Sequence, residues 1–383
     1  MQTKDDINLL DGQKLIRGCY EAERLPDDLS SVSYVPDFAY NALNPLGLLY
    51  RPIVDEKYLA GGSPKPVWPG GRPFAVCLTH DVDVVSLYSF RQISRIRTRN
   101  FMAGNSLAIK ARSLVGWGID ALRAAIEINA KDPLHCYERW LEVEKQVGAR
   151  STFFFWPGWS AIGRHHHSDC AYELSDRIVF DRQKCTVIEM IREISRKGWE
   201  IGLHPSWYSF DDVDEMKRQK EALENILEKD VVSVRQHFLH YDIRVTPKIQ
   251  ADAGFKYDST LGFNDNIGFR LGTSYPWRLY DLKTETQLSI TEIPLIIQDG
   301  ALLLKTKGLR LDAETAFQYI VQIAQEVKNV GGILTVLWHP QYIINADWWN
   351  LYRRMLNYLQ EQDALFCSIE EAGSFWLHGN DSA

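Results

Sequence analysis

Asp81 and Asp83 stand two residues apart after Phe74-Ala75-Val76-Cys77-Leu78, an apolar run with the composition of a buried strand. Burying a carboxylate is costly unless it is paired or bound to a metal. Two of them at one strand end can divide labour, one holding a cation and the other taking a proton. The pair also fits an ordinary strand end, where aspartates often form turns. Further along, His204, Arg235, Asp258, Asp299 and His339 each follow another strand-like run. Carboxylate plus imidazole suits a divalent metal, zinc first, with cobalt, nickel or iron also accommodated. A water activated by such a cation needs a nearby base. A second group must protonate the leaving atom. An arginine beside the base holds it ionised by opposite charge.

The elements that must position these residues alternate regularly. The first strand is expected over 74–78. A helix is expected from Asp132-Pro133 to Gly148, with Asp132 as its cap, then strand 151–155. Helix 186–197 leads to strand 199–203 and His204, and helix 212–229 leads to strand 231–234 and Arg235. A helix from Thr246-Pro247 to Gly254 precedes strand 255–257 and Asp258. Strand 293–297 delivers Asp299. Asp312 caps a helix closed by Gly331-Gly332, strand 333–338 delivers His339, and helix 346–361 and strand 364–368 complete the pattern. Such alternation predicts βαβ units and a parallel sheet. About seven or eight units fit a closed (β/α) barrel, whose active site forms at the C-terminal strand ends. No G-x-G-x-x-G follows the first strand and no P-loop sequence occurs, which argues against a nucleotide site.

Two stretches fall outside this rhythm. Residues 1–72, with Pro36, Pro45, Pro52, Pro64, Pro66 and Pro69, are expected to form an irregular extension packed on a main domain of 73–383. Residues 84–135 are expected to be a helical insertion. Its arginines 91, 95, 97 and 99 read as a solvated face, or alternatively as an anionic-substrate contact.

The net charge of −7 offers no basic footprint for nucleic acid or an anionic membrane. The six cysteines show no CxxC or metal-like spacing and read as reduced thiols. No apolar run approaches the length of a membrane span. The polar, acidic start Met1-Gln2-Thr3-Lys4-Asp5-Asp6 lacks the basic and apolar regions of a leader, so a cytoplasmic protein is expected.

Four segments, Thr79-His80-Asp81-Val82-Asp83, His204-Pro205-Ser206, Arg235-Gln236-His237-Phe238 and Leu337-Trp338-His339, resemble in order and spacing the motifs of the polysaccharide deacetylase family, the NodB-like carbohydrate esterases. The resemblance spans roughly 73–370. It implies a distorted (β/α) barrel and a divalent metal used to remove acetyl groups from a carbohydrate or sugar conjugate. It further implies Asp81 as base, Asp83 and His204 as metal ligands, Arg235 as the residue orienting the base, and His339 as acid. The backbone N–H of Phe238 is implied as an oxyanion donor.

The departures are specific. Val82 separates aspartates that are usually adjacent, Tyr208 replaces a second histidine, and His237 replaces a proline. The ligand set is therefore one short. His237 is the first candidate to complete it, and His165-His166-His167 with Asp169 the second. His167, Asp169, Tyr208 and Asp258 are further candidates for substrate contact. Asp258 also reads as a cap, and Asp299 either orients His339 or forms a turn before Gly300. Tyr208 keeps open a barrel that binds carbohydrate without hydrolysis, and relatives of this fold also cleave non-sugar C–N bonds.

Overall fold

The computed structural model describes residues 10–27, 29, 40–87, 132–306 and 308–379. Most of the expected helical insertion, including its four arginines, lies outside the described residues.

The strands are β1 Ala75–Val82, β2 Thr152–Phe155, β3 Arg177–Phe180, β4 Gln183–Thr186, β5 Glu200–Leu203, β6 Ser233–Val234, β7 Tyr257–Asp258, β8 Trp277–Asp281, β9 Thr286–Glu292, β10 Leu295–Gln298, β11 Ile333–Leu337 and β12 Leu365–Cys367. Strands β3 and β4 form a separate hairpin. The rest build one sheet in the order β10-β11-β1-β2-β5-β6-β7-β9-β8, with β12 on β1. It is parallel apart from the antiparallel β8–β9 pair at one end. This is a distorted (β/α) barrel of NodB type, built as alternating strands and helices demand. It corrects the expectation of closure: among the described residues the pairing path ends at β10 and at β8.

The distortion begins at β1. Residues 75–79 pair with β11, residues 75–77 with β12 and residues 79–82 with β2. Two neighbours thus share one edge of β1. The strand also runs four residues past its expected end, so His80 and Asp81 lie within it.

Apolar strand faces and helix stripes make the core. Val187, Met190, Ile191 and Ile194 are buried on the helix Val187–Arg196, which opens with a capping box between Thr186 and Glu189. Asp312 caps the helix Ala313–Val330, and Gly331 ends it at φ 78°. The helix expected to start at Asp132 begins instead at Glu138. Asp132 is occupied in a turn, accepting from Leu134 N–H at 2.9 Å and from the Ser86 hydroxyl at 2.6 Å.

The N-terminal residues carry helices Gly12–Ile16, Cys19–Ala22 and Ile53–Ala60. Leu15, Leu43, Leu48, Leu49 and Ile53 gather around Phe263 of the loop after β7. Glu21 and Arg270 form a buried ion pair between these segments. Asp55 accepts from Ser274 N–H and from the Ser274 hydroxyl, both at 2.7 Å. Among the described residues no helix is long and apolar enough to cross a membrane, and no disulfide forms.

Candidate active site

Asp81 lies at the C-terminal end of β1 and Asp83 just past it, in a turn where Asp83 N–H donates to the Asp81 carbonyl, and both carboxylates approach His204 Nε2, at 3.9 and 3.3 Å. Val82 between them is in the core. His204 follows β5, and His237 lies in a short turn after β6. Asp83 Oδ1 is 3.3 Å from His204 Nε2 and 3.6 Å from His237 Nδ1. One donor atom from each of the three residues falls within 4.8 Å of the others. His237 and Asp83 thereby meet, and Tyr208 is not a member of the cluster.

Hydrogen bonding fixes the imidazoles. His204 Nδ1 is 2.8 Å from the Arg235 carbonyl oxygen, and His237 Nε2 is 2.8 Å from the Ser168 carbonyl oxygen. A carbonyl only accepts, so both nitrogens carry hydrogen. On neutral rings the opposite nitrogens, His204 Nε2 and His237 Nδ1, then present lone pairs, and they are 2.9 Å apart. Two facing lone pairs repel; a metal ion between them resolves the conflict, and without one a proton on His204 does so, its Nε2–H then facing Asp83. Two imidazole nitrogens and a carboxylate oxygen fit a divalent metal, and the carbonyl partners supply the outer support such ligands require. Burial alone would raise the Asp83 carboxyl. The hydrogen bond from His204 and the nearby imidazoles of His339, His237 and His204 outweigh it and hold Asp83 well below the usual carboxylate range. Burial likewise opposes charging of His204, but Asp81 and Asp83 raise it.

The base candidate is buried on one flank. Arg235, fully buried, approaches Asp81 Oδ1 with Nη1 at 3.3 Å. The same Nη1 donates to the Thr79 hydroxyl at 2.5 Å, while Nε donates to the Ser259 carbonyl at 2.6 Å and Nη2 to the Ser259 hydroxyl at 2.7 Å. Phe154 lies under the guanidinium, 4.6 Å from carbon to ring centre. The arginine has little freedom, and it fixes the nearer oxygen of Asp81.

The acid candidate is on the other flank. His339 Nε2 lies 3.7 Å from Asp83 Oδ2. Its Nδ1 meets Asp299 Oδ1 at 2.7 Å, and its backbone N–H donates to Asp299 Oδ2 at 2.6 Å. Burial disfavours the imidazolium, yet the Asp299 carboxylate and its hydrogen bond, then Asp83 and Asp81, raise His339 to about 9. Asp299 is thus a partner of His339 as well as the first residue of a short helix.

Other candidates sit elsewhere. Asp169 is buried and accepts from His166 N–H and Trp207 N–H, both at 2.8 Å; this corrects its reading as a substrate contact, since those bonds tie two loops together. Asp258 is also buried, beside Glu292 and behind Arg235, which corrects the same reading for it. The His165–His167 stretch supplies no member of the ligand cluster. His166 stacks on Trp207 at 4.5 Å, and His167 is exposed next to it. Tyr208 packs edge-on to His166 and under Arg164. Phe238 is 40% exposed and, with Leu239, adopts positive φ of 57° and 50°. Two successive non-glycine residues in that region carry strain of a kind that clusters at functional sites.

Sequence reasoning missed Ser168, whose carbonyl braces His237, and Thr79, Ser259 and Glu292 around Arg235. Thr79 and Ser259 adjoin residues singled out for chemistry, and that adjacency was their only signal. Ser168 lies between the candidates His167 and Asp169, but its contribution is a backbone carbonyl, which residue type does not reveal.

No family model and no curated protein matches the chain. Solved structures do. A protein assigned to the polysaccharide deacetylases from Mycobacterium smegmatis is 20% identical, with 83% of this chain and 95% of that chain covered and a TM-score of 0.53. Another so assigned, from Pseudomonas aeruginosa PAO1, is 15% identical over 84% and 97%, with a TM-score of 0.51. Puue allantoinase is 14% identical over 82% and 94%, with a TM-score of 0.50. The chain has the NodB-type fold that these structures share.

Proposed function

We propose that the chain is a metal-dependent hydrolase that removes an acetyl group from an N-acetylated sugar or glycan precursor. The observation that carries this reading is the convergence of Asp83, His204 and His237, with a clamped carboxylate and a carboxylate-backed imidazole on opposite flanks. Asp83 Oδ1, His204 Nε2 and His237 Nδ1 would hold the cation, with zinc favoured by the donor set and cobalt, nickel or iron accommodated. Bound there, the cation supplies Lewis acidity toward the acyl carbonyl.

The rest of the chemistry belongs to side chains. Asp81, ionised beside Arg235, accepts the proton of the attacking water. His339, kept as imidazolium by Asp299, donates a proton to the departing sugar nitrogen as the C–N bond breaks. The amine and acetate leave, and the two groups return to their starting states by exchanging one proton through solvent. The backbone N–H of Phe238, whose ring meets that of His237, would serve as the oxyanion donor.

Acetate release from N-acetylated mono- and oligosaccharides, measured with each candidate metal, tests this reading. Turnover should require the metal and fall by about 10²–10⁴-fold in Asp81→Asn. Metal-replete protein that binds sugar but releases no acetate would instead identify a carbohydrate-binding barrel. Selective cleavage of allantoin, added to the panel as a non-sugar C–N substrate, would move the substrate to the class named for the allantoinase neighbour.

A further inference from the structure

We propose that Asp258 and Glu292 share a single proton, and that the one negative charge left on the pair is a second counter-charge, beside Asp81, for the buried Arg235 guanidinium.

The pair is set by register. Asp258 and Glu292 are partners across the parallel strands β7 and β9, so their side chains project side by side from one face. Both are wholly buried. One oxygen of each has a donor: the Thr260 hydroxyl donates to Asp258 Oδ1, and Leu261 N–H donates to Glu292 Oε1 at 2.9 Å. Their other oxygens, Asp258 Oδ2 and Glu292 Oε2, are buried without a well-formed hydrogen bond to a donor group. Two adjoining carboxylates cannot both remain ionised away from water. A proton between them serves both oxygens. Burial pushes the Asp258 carboxyl up to about 6, and burial with the Asp258 charge pushes Glu292 well above its ordinary range.

The groups facing the pair are Arg235, the Tyr241 hydroxyl, the Gln250 carboxamide, the Thr260 hydroxyl and Leu261 N–H. Arg235 is the charged one. Its Nη1 faces Asp81 while its Nε and Nη2 bind Ser259, the neighbour of Asp258. Asp81 and the pair therefore approach the one guanidinium from different sides of its hydrogen-bonding edge.

Infrared spectroscopy of the full chain at about pH 7, where ordinary carboxyls of pKa about 4 are ionised, reads the proton directly. A protonated-carboxyl stretch should be present and should be lost in both Asp258→Asn and Glu292→Gln. It should persist in Asp55→Asn, which removes another carboxyl raised by burial, to about 7. A spectrum unchanged by both single amides overturns the shared proton. Charge compensation is read by stability. Asp258→Asn with Glu292→Gln removes the pair's charge, and Asp81→Asn removes the other counter-charge of Arg235. Combined, they should lower the unfolding midpoint by more than the sum of their separate shifts, because Arg235 then lacks a counter-charge. Additive shifts overturn the compensating role. Neither readout depends on hydrolysis, so the proposal and the proposed activity fail separately. The infrared arm needs only wild type and single variants, so a triple variant that does not fold leaves it decisive.

Discussion

His204 Nε2 and His237 Nδ1 lie 2.9 Å apart, each on a ring whose other nitrogen is committed to a backbone carbonyl. The arrangement favours a cation between them and Asp83. One divalent metal per chain is therefore expected by elemental analysis after dialysis. Asp83→Ala and His204→Ala should each weaken binding by about a hundredfold or more, since removing a ligand exceeds the roughly 10–100-fold effect of an outer partner. His237→Ala with wild-type affinity would show that another residue is the third ligand.

Asp169 holds the loop that presents Ser168 to His237. Asp169→Asn puts an amide against a backbone N–H and loosens that brace. Metal affinity should fall by about tenfold, the lower end expected for outer-sphere partners. Competition with a chelator measures it, and Tyr208→Phe is the matched variant expected to leave affinity unchanged.

Asp81→Asn keeps the shape of the base but removes its proton affinity. Turnover should drop by about 10²–10⁴-fold, the usual contribution of general acid–base catalysis, with metal content unchanged. Arg235→Lys should also lower turnover, because a lysine cannot bond Asp81, Thr79 and the two Ser259 oxygens together. Steady-state rates alongside metal content separate catalysis from binding.

His339 donates a proton in the proposed cycle, so activity should fall as pH rises through its pKa. Asp299 raises that pKa. Asp299→Asn removes a negative charge and should move the alkaline limb of the pH–rate profile to lower pH. The acidic limb, set by protonation of a carboxylate, should move less. A profile that shifts the other way would remove His339 from the role of acid.

Glu21 and Arg270 are each about 2% exposed and join the N-terminal helices to the loop after β7. Glu21→Ala takes the carboxylate away from a buried guanidinium. The expected loss is about 3–5 kcal/mol of unfolding free energy, measured in denaturant. Replacing both residues with apolar side chains of similar volume should cost less, since no charge is stranded.

The sequence by itself determined the alternation of strands and helices and the chemistry at the strand ends. Apolar periodicity marked helices such as Val187–Arg196, and most strand-like runs were followed by an ionisable residue. It did not show the β8–β9 pair or the open sheet path, which follow from long-range pairing that local pattern does not encode. It also left the third ligand as alternatives. Tertiary structure brought His237 and Asp83 together, because β1 and β6 are distant in sequence but lie around one curved sheet. It likewise decided that Asp169 and Asp258, equal to the others as residue types, face inward: a side chain's direction is set by register and neighbouring loops, and those exist only in the folded chain.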